Sequence, residues 1–261
     1  MSSKLALCDI SLTFAGGGAG PRERRGVQAG VPVLDGVNLR VGDGEFVSVI
    51  GPSGSGKSTL FQVIGGVLTP SGGRVLLDGA DVTGQTGRIS YMPQSNTLLP
   101  WRTVLGNLLL IREVEGTADA EARAEAMAWL RRIGLDGYAD SYPHVLSGGM
   151  QQRVAFLRAL LSPKELLCLD EPFGALDALT RQEMQEWLLS VWEEDRRSVL
   201  FVTHSIEEAL LLSDRIYILS PRPATVIREI QVPFGRPRKE EIRHDAAFIQ
   251  LRREIYEGLR S

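Results

Sequence analysis

The chain has 261 residues, 29 basic and 32 acidic, with a formal net charge of −3 and 43% apolar content. That length suits one large α/β domain with an inserted part, and the near-balanced charge supplies no basic field of the kind that attracts nucleic acid. Cys8 and Cys168 each sit in an apolar run without metal or redox spacing, which suits a reducing cytoplasm.

In chain order, an apolar strand-like run at 4–14 is followed at 15–30 by a glycine-rich stretch carrying Arg22, Arg24 and Arg25. Such composition predicts a flexible, solvated loop; a specific anion or headgroup role for the arginines is the other reading. No charged-then-apolar leader opens the chain, and no run approaches the about 18 apolar residues of a membrane span. Any membrane role is therefore expected to come through a partner.

Residues 45–50 predict a buried strand, and from Lys57 onward the apolar residues follow at once as a helix. Between them Gly51, Pro52, Ser53, Gly54, Ser55, Gly56, Lys57 and Ser58 spell a complete phosphate loop, continued by Thr59. Gly51, Gly54 and Gly56 remove side chains that would keep backbone amides from a polyanion, and the helix start adds a favourable dipole. Lys57 supplies a mobile cation for the β- and γ-phosphates, and Ser58 a hydroxyl for Mg²⁺. ATP or a relative is the expected ligand.

Strand-like runs recur at 74–77, 88–92, 165–169, 198–203 and 214–219, and helical patterns lie between them. Residues 166–169 and 199–202 are apolar on both faces, as expected of central parallel strands covered by helices. The pattern at 118–133 places Met127, Leu130 and Ile133 on one face and stops at Gly134; 179–194 aligns Met184, Leu188 and Val191; Asp245 can cap a last helix carrying Phe248, Leu251, Ile255 and Leu259. The middle of the chain has helices and few strand signals. The expected architecture is a P-loop core of mostly parallel sheet with an N-terminal antiparallel β part and an inserted α-helical subdomain. The helical part is expected at about 95–160 within a domain spanning 1–235, with 236–261 as a C-terminal helical extension.

The 165–169 strand ends in Asp170 and Glu171. Asp170 suits water-mediated Mg²⁺ coordination, and Glu171 is placed as a general base, against a reading of two solvated acids at a strand end. His204 follows the 198–203 strand; if the strands are parallel it emerges on the edge that carries the phosphate loop, where neutral imidazole could hold an attacking water. His144 and His244 lack such neighbours and are read as structural. Ser147 can cap a helix whose first residues, Gly148 and Gly149, expose amides as a second anion-binding terminus.

In this order the residues resemble the ATPase subunits of ATP-binding cassette (ABC) transporters. The resemblance runs from Leu5 to about Arg238 and includes the phosphate loop, Gln94, the signature Leu146-Ser147-Gly148-Gly149-Met150-Gln151-Gln152, the Asp170–Glu171 pair, Asp177 and His204. It implies a head-to-tail dimer in which Ser147, Gly148 and Gly149 contact the nucleotide of the other copy. It further implies that Gln94 joins Ser58 around Mg²⁺, that Asp177 links the two sites, and that Phe14 stacks on adenine; Phe14 as a core residue is the other reading.

The segment after Gln94, the run from Phe173 to Arg181, and Ser220-Pro221-Arg222-Pro223 resemble the nitrate/sulfonate/taurine class of importers. That resemblance implies a peripheral protein on the cytoplasmic face of the membrane, permease subunits as partners and, indirectly, a solute-binding protein. Leu98, Leu99 and Trp101 would border the groove that receives a permease helix, or else pack within the helical part. Phe156 departs from the family's usual smaller residue, an effect expected on packing alone. The alternative function is a soluble ABC-type ATPase acting on nucleic acid or ribosomes, which the charge balance does not favour.

Overall fold

The computed structural model describes residues 3–15, 30–95, 97–174 and 176–259. The arginine-bearing loop and Ala175 lie outside the described residues. In chain order the elements are β1 (Ser3–Phe14), β2 (Val31–Gly42), β3 (Phe46–Ile50), α1 (Lys57–Ile64), β4 (Gly72–Leu77), β5 (Ala80–Asp81) and β6 (Ser90–Met92). Then come α2 (Val104–Leu108), α3 (Leu110–Val114), α4 (Ala120–Arg132), α5 (Gly148–Leu160), β7 (Leu166–Asp170) and α6 (Ala178–Asp195). The chain finishes with β8 (Ser198–Val202), α7 (Ile206–Leu212), β9 (Arg215–Leu219), β10 (Val226–Gln231) and α8 (Ala246–Gly258). The contacts divide the chain into two compact units, Met1–Arg88 with Ser198–Ser261, and Ile89–Arg197.

In the first unit an antiparallel sheet runs β2-β1-β4-β5. β3 pairs in parallel with β8 on one side and with β9 on the other. With a strand on each edge, all five of its residues are buried, which is why its sequence is apolar but for one position. Its one hydroxyl, Ser48, is paired with Ser213. β10 closes the far side antiparallel to β9. A core of Ile50, Ala209, Leu210, Ile216, Ile218, Ile230, Phe248 and Ile255 joins these strands to α7 and α8. Asp245 caps α8 by accepting the Ala247 amide at 2.7 Å, as its sequence predicts.

β2 and β10 are strands that the sequence reading does not anticipate. β2 alternates cleanly only from Val37 through Leu39 to Val41, and β10 is an edge strand with only Ile230 buried, its other positions half-buried or exposed.

In the second unit β6 runs parallel to β7, with Tyr91 opposite Cys168 and Met92 opposite Leu169. α6 buries Met184, Leu188 and Val191 as expected. α4 differs: its buried face is Ala122, Ala126 and Leu130, while Met127 and Ile133 are half-buried. Small alanines allow close helix approach but leave a weak hydrophobic signal, so the larger residues misplace the stripe by part of a turn. Phe156 is fully buried, edge-on to Trp187 with ring centroids 5.1 Å apart.

Candidate functional site

The candidate residues fall into two groups, one in each unit. In the first unit, the parallel register of β3 with β8, Val49 opposite Val202, brings both strand ends to one edge of the sheet. The phosphate loop leaves β3 at that edge, and Thr203 and His204 leave β8 there. Loop geometry follows from its glycines. Gly56 has φ +112°, and a Cβ there would stand 3.0 Å from Val33 Cγ1. Gly54 has φ +75° and faces open space. A Cβ on Gly51 would lie 3.1 Å from the Leu219 carbonyl.

Lys57 is buried, and its ammonium donates to the carbonyls of Gly51 at 3.0 Å and Pro52 at 2.8 Å, so the cation is folded over the loop. The Ser55 amide donates to the Pro52 carbonyl at 3.2 Å, tightening the turn. Ser55 Oγ is buried with no hydrogen-bond partner among the described residues. A buried hydroxyl without a partner, a glycine opening onto free space and a cation held above the backbone are the features a bound polyphosphate would satisfy. Pro52 and Thr59 are half-buried, Ser53 and Ser58 exposed.

His204 is exposed. Its neighbours are pinned: the Ser205 amide donates to Thr203 Oγ1 at 3.0 Å, and Ser205 Oγ caps α7 by accepting the Glu208 amide at 3.3 Å. Phe14, at the end of β1, is 41% exposed, so its ring is not a core residue in the first unit.

In the second unit β7 ends in Asp170, whose residue is 1% exposed, and Glu171, which takes a left-handed backbone with φ 47°. The parallel register carries Gln94, just past β6, to the same edge, where Gln94 Nε2 donates to Glu171 Oε2 at 3.0 Å. The signature lies in α5. Ser147 caps that helix by accepting the Met150 amide at 3.3 Å, and Gly148 and Gly149 form its first turn. Gln151 Nε2 donates to the carbonyls of Pro143 at 2.9 Å and Leu146 at 3.2 Å, fixing the approach to the signature. Asp177 caps α6; its hydrogen bonds from Thr180 hold its carboxyl below the usual range.

The family model described as ABC transporter matches residues 34–174. A formylaminopyrimidine import ATP-binding protein of Halalkalibacterium halodurans is 46% identical over 210 residues, covering 80% of this chain and 82% of that protein. A taurine import ATP-binding protein of Pseudomonas putida is 41% identical over 232 residues, 87% of this chain and 88% of the relative. A solved bacterial ABC transporter cassette, described as dimeric, superposes with a TM-score of 0.75 at 31% identity, covering 88% of this chain and all of that one. Its post-hydrolysis state bound to ADP and Pi gives 0.73 and 32% over the same shares. The chain belongs to the ABC transporter family.

This cassette has the family's α/β fold and is an ATPase. Among its described residues no helix is long and apolar enough to cross a membrane.

Two contacts of the cassette's acidic strand end have no counterpart in the sequence reading. Tyr91 lies close to Asp170, and burial, with that carboxylate second, pushes its phenol well above the usual range. Gln152 Nε2 donates to the Pro172 carbonyl at 2.6 Å, tying the signature helix to the loop that follows Glu171. A lone phenol in a short apolar strand before Gln94 was the available signal for Tyr91; nothing local marks Gln152. Trp101 is 70% exposed, with Leu98 and Leu99 half-buried beside it. His144 is exposed and stacks against Tyr142, with ring centroids 6.0 Å apart.

Proposed function

We propose that this cassette is the ATP-binding and ATP-hydrolysing subunit of a membrane importer for a small solute, an organic or inorganic anion such as a sulfonate, taurine or nitrate. The taurine and formylaminopyrimidine import roles of its relatives support the importer reading. Two copies pair so that Ser147, Gly148 and Gly149 of one serve the nucleotide held by the phosphate loop of the other, with Asp177 linking the two. Permease subunits seat against Leu98, Leu99 and Trp101 on the cytoplasmic face, and a solute-binding protein delivers the cargo.

The observation that carries the catalytic reading is the Gln94–Glu171 hydrogen bond beside a buried Asp170. Glu171 acts as general base, taking the proton of a water that attacks the γ-phosphate in line, a transfer that contributes about 10²–10⁴ in rate. Gln94 orients the Glu171 carboxylate, and His204 holds the water by hydrogen bonding. Lys57 and the loop amides of Gly51–Thr59 bind the phosphates, and Phe14 stacks on the adenine. Ser58, Gln94 and, through water, Asp170 offer the oxygen donors a hard cation takes. Mg²⁺, when bound, neutralises charge on the phosphate oxygens.

The test is Glu171→Gln. This variant should bind ATP as the wild type does, lose about 10²–10⁴ of its turnover, and accumulate as a dimer with ATP in size-exclusion chromatography. Lys57→Ala should weaken ATP binding itself. Wild-type hydrolysis by Glu171→Gln would sink the assignment, and co-purification of nucleic acid in place of a permease would redirect it to a soluble ATPase.

A further inference from the structure

We propose that Arg252, in the C-terminal helix α8, is a positioning residue for His204. The inference rests on the reading of His204 as the group that holds the attacking water. His204 sits between β8 and the first turn of α7, a helix of only seven residues that has little intrinsic ability to hold its own orientation. That helix is gripped at both ends by residues from the end of the chain.

At the N-terminal end the Glu207 carboxylate, three positions past His204, accepts a hydrogen bond from Arg252 Nη1, with Arg243 Nη1 4.0 Å from its other oxygen. At the C-terminal end Arg238, 6% exposed, donates to the carbonyls of Leu210 at 3.1 Å and of Phe234 at 2.9 Å, while Arg236 donates to Asp214 at 2.8 Å. α8 is a firm base for this grip, because Phe248 and Ile255 are fully buried in the core that also holds Ala209 and Leu210. His204, Glu207, Arg252 and Tyr256 line one cleft of about 510 Å³, so α8 side chains form the wall that faces the imidazole.

Arg252 and Glu207 are both about two-fifths exposed. Exposed ion pairs contribute little to stability, so losing this one leaves the fold intact. Misplacing a reacting group by about 1 Å, by contrast, costs up to about 10²-fold in rate. The pair therefore belongs to turnover more than to folding.

The experiment uses the full-length chain and reads steady-state ATP hydrolysis, KM for ATP with Mg²⁺, and Tm. Arg252→Ala should lower kcat by about 3- to 30-fold, with KM within about twofold and Tm within about 2 °C. Arg252→Lys, which keeps the charge, should recover most of kcat. Glu207→Gln should repeat the Arg252→Ala loss, and the double variant should be no worse than either single one. If Arg252→Ala fails to fold, Arg252→Lys and Glu207→Gln carry the test. Wild-type kcat in Arg252→Ala or Glu207→Gln, alongside an inactive His204→Ala, overturns the positioning role and leaves His204 standing. Wild-type turnover in His204→Ala instead removes the reading beneath it. A loss in which KM rises and Tm falls with kcat assigns Arg252 to structure alone and also overturns the proposal.

Discussion

Gly54 and Gly56 lie two residues apart in the phosphate loop, both with positive φ, yet alanine should have different consequences at each. At Gly54 an alanine has no atom within 4 Å of its Cβ and bears only the left-handed conformational cost, about 1–2 kcal/mol. At Gly56, whose φ of +112° lies further from the left-handed well, at least that cost is joined by crowding: the Cβ would stand 3.0 Å from Val33 Cγ1, 3.2 Å from Leu34 Cδ2 and 3.4 Å from the Val33 carbonyl. Overpacking of this kind costs about 1–3 kcal/mol, because Val33 and Leu34 must give way to relieve it. Gly56→Ala should therefore be the less stable of the two by about 1–3 kcal/mol, equivalent to about 2–12 °C in Tm for a domain of this size. Urea denaturation measures this difference, and calorimetric titration with ATP supplies the complement. The open space at Gly54 is where the phosphates are proposed to lie, so Gly54→Ala should lose more ATP affinity than stability. Equal stability of the two variants would refute the argument, since both the crowding by Val33 and Leu34 and the wider φ fall on Gly56.

Phe156→Ala should cost about 3–5 kcal/mol in urea denaturation, because a fully buried ring packed edge-on to Trp187 leaves a cavity; KM for ATP should stay unchanged well below the melting temperature. Burial, with the Asp170 carboxylate second, pushes the Cys168 thiol far above its ordinary range. The unfolded thiol ionises above about pH 8.5 while the folded one keeps its proton, so the unfolded state binds fewer protons there and stability falls as pH rises, by about 1.4 kcal/mol per pH unit from this group. Denaturation of wild type and Cys168→Ala between pH 8 and 10 should show a steeper fall in the wild type; parallel slopes would contradict it.

Nearly continuous apolar runs made β3, β7 and β8 legible, because a strand buried on both faces leaves few polar positions to confuse the pattern. Local chemistry likewise announced the phosphate loop and the caps Ser147 and Asp245, whose hydrogen bonds reach only two or three residues along the chain. β10 was hidden because an edge strand keeps polar residues along most of its length, and the α4 face was displaced because alanines carry little hydrophobic signal.

By itself, then, the sequence determined the nucleotide-binding chemistry, the family and the order of its parts, since each rests on residues adjacent in the chain. Tertiary structure alone decided which of them touch. Gln94 meets Glu171 across 77 positions because β6 and β7 share a parallel register, and that register also sets Tyr91 against Asp170. The same holds for Arg238 over the end of α7, and for Arg252 on Glu207, a contact made possible because Phe248 and Ile255 seat α8 in the core. Hydrogen bonds act over about 3 Å, and only folding brings groups so far apart in the chain within that reach.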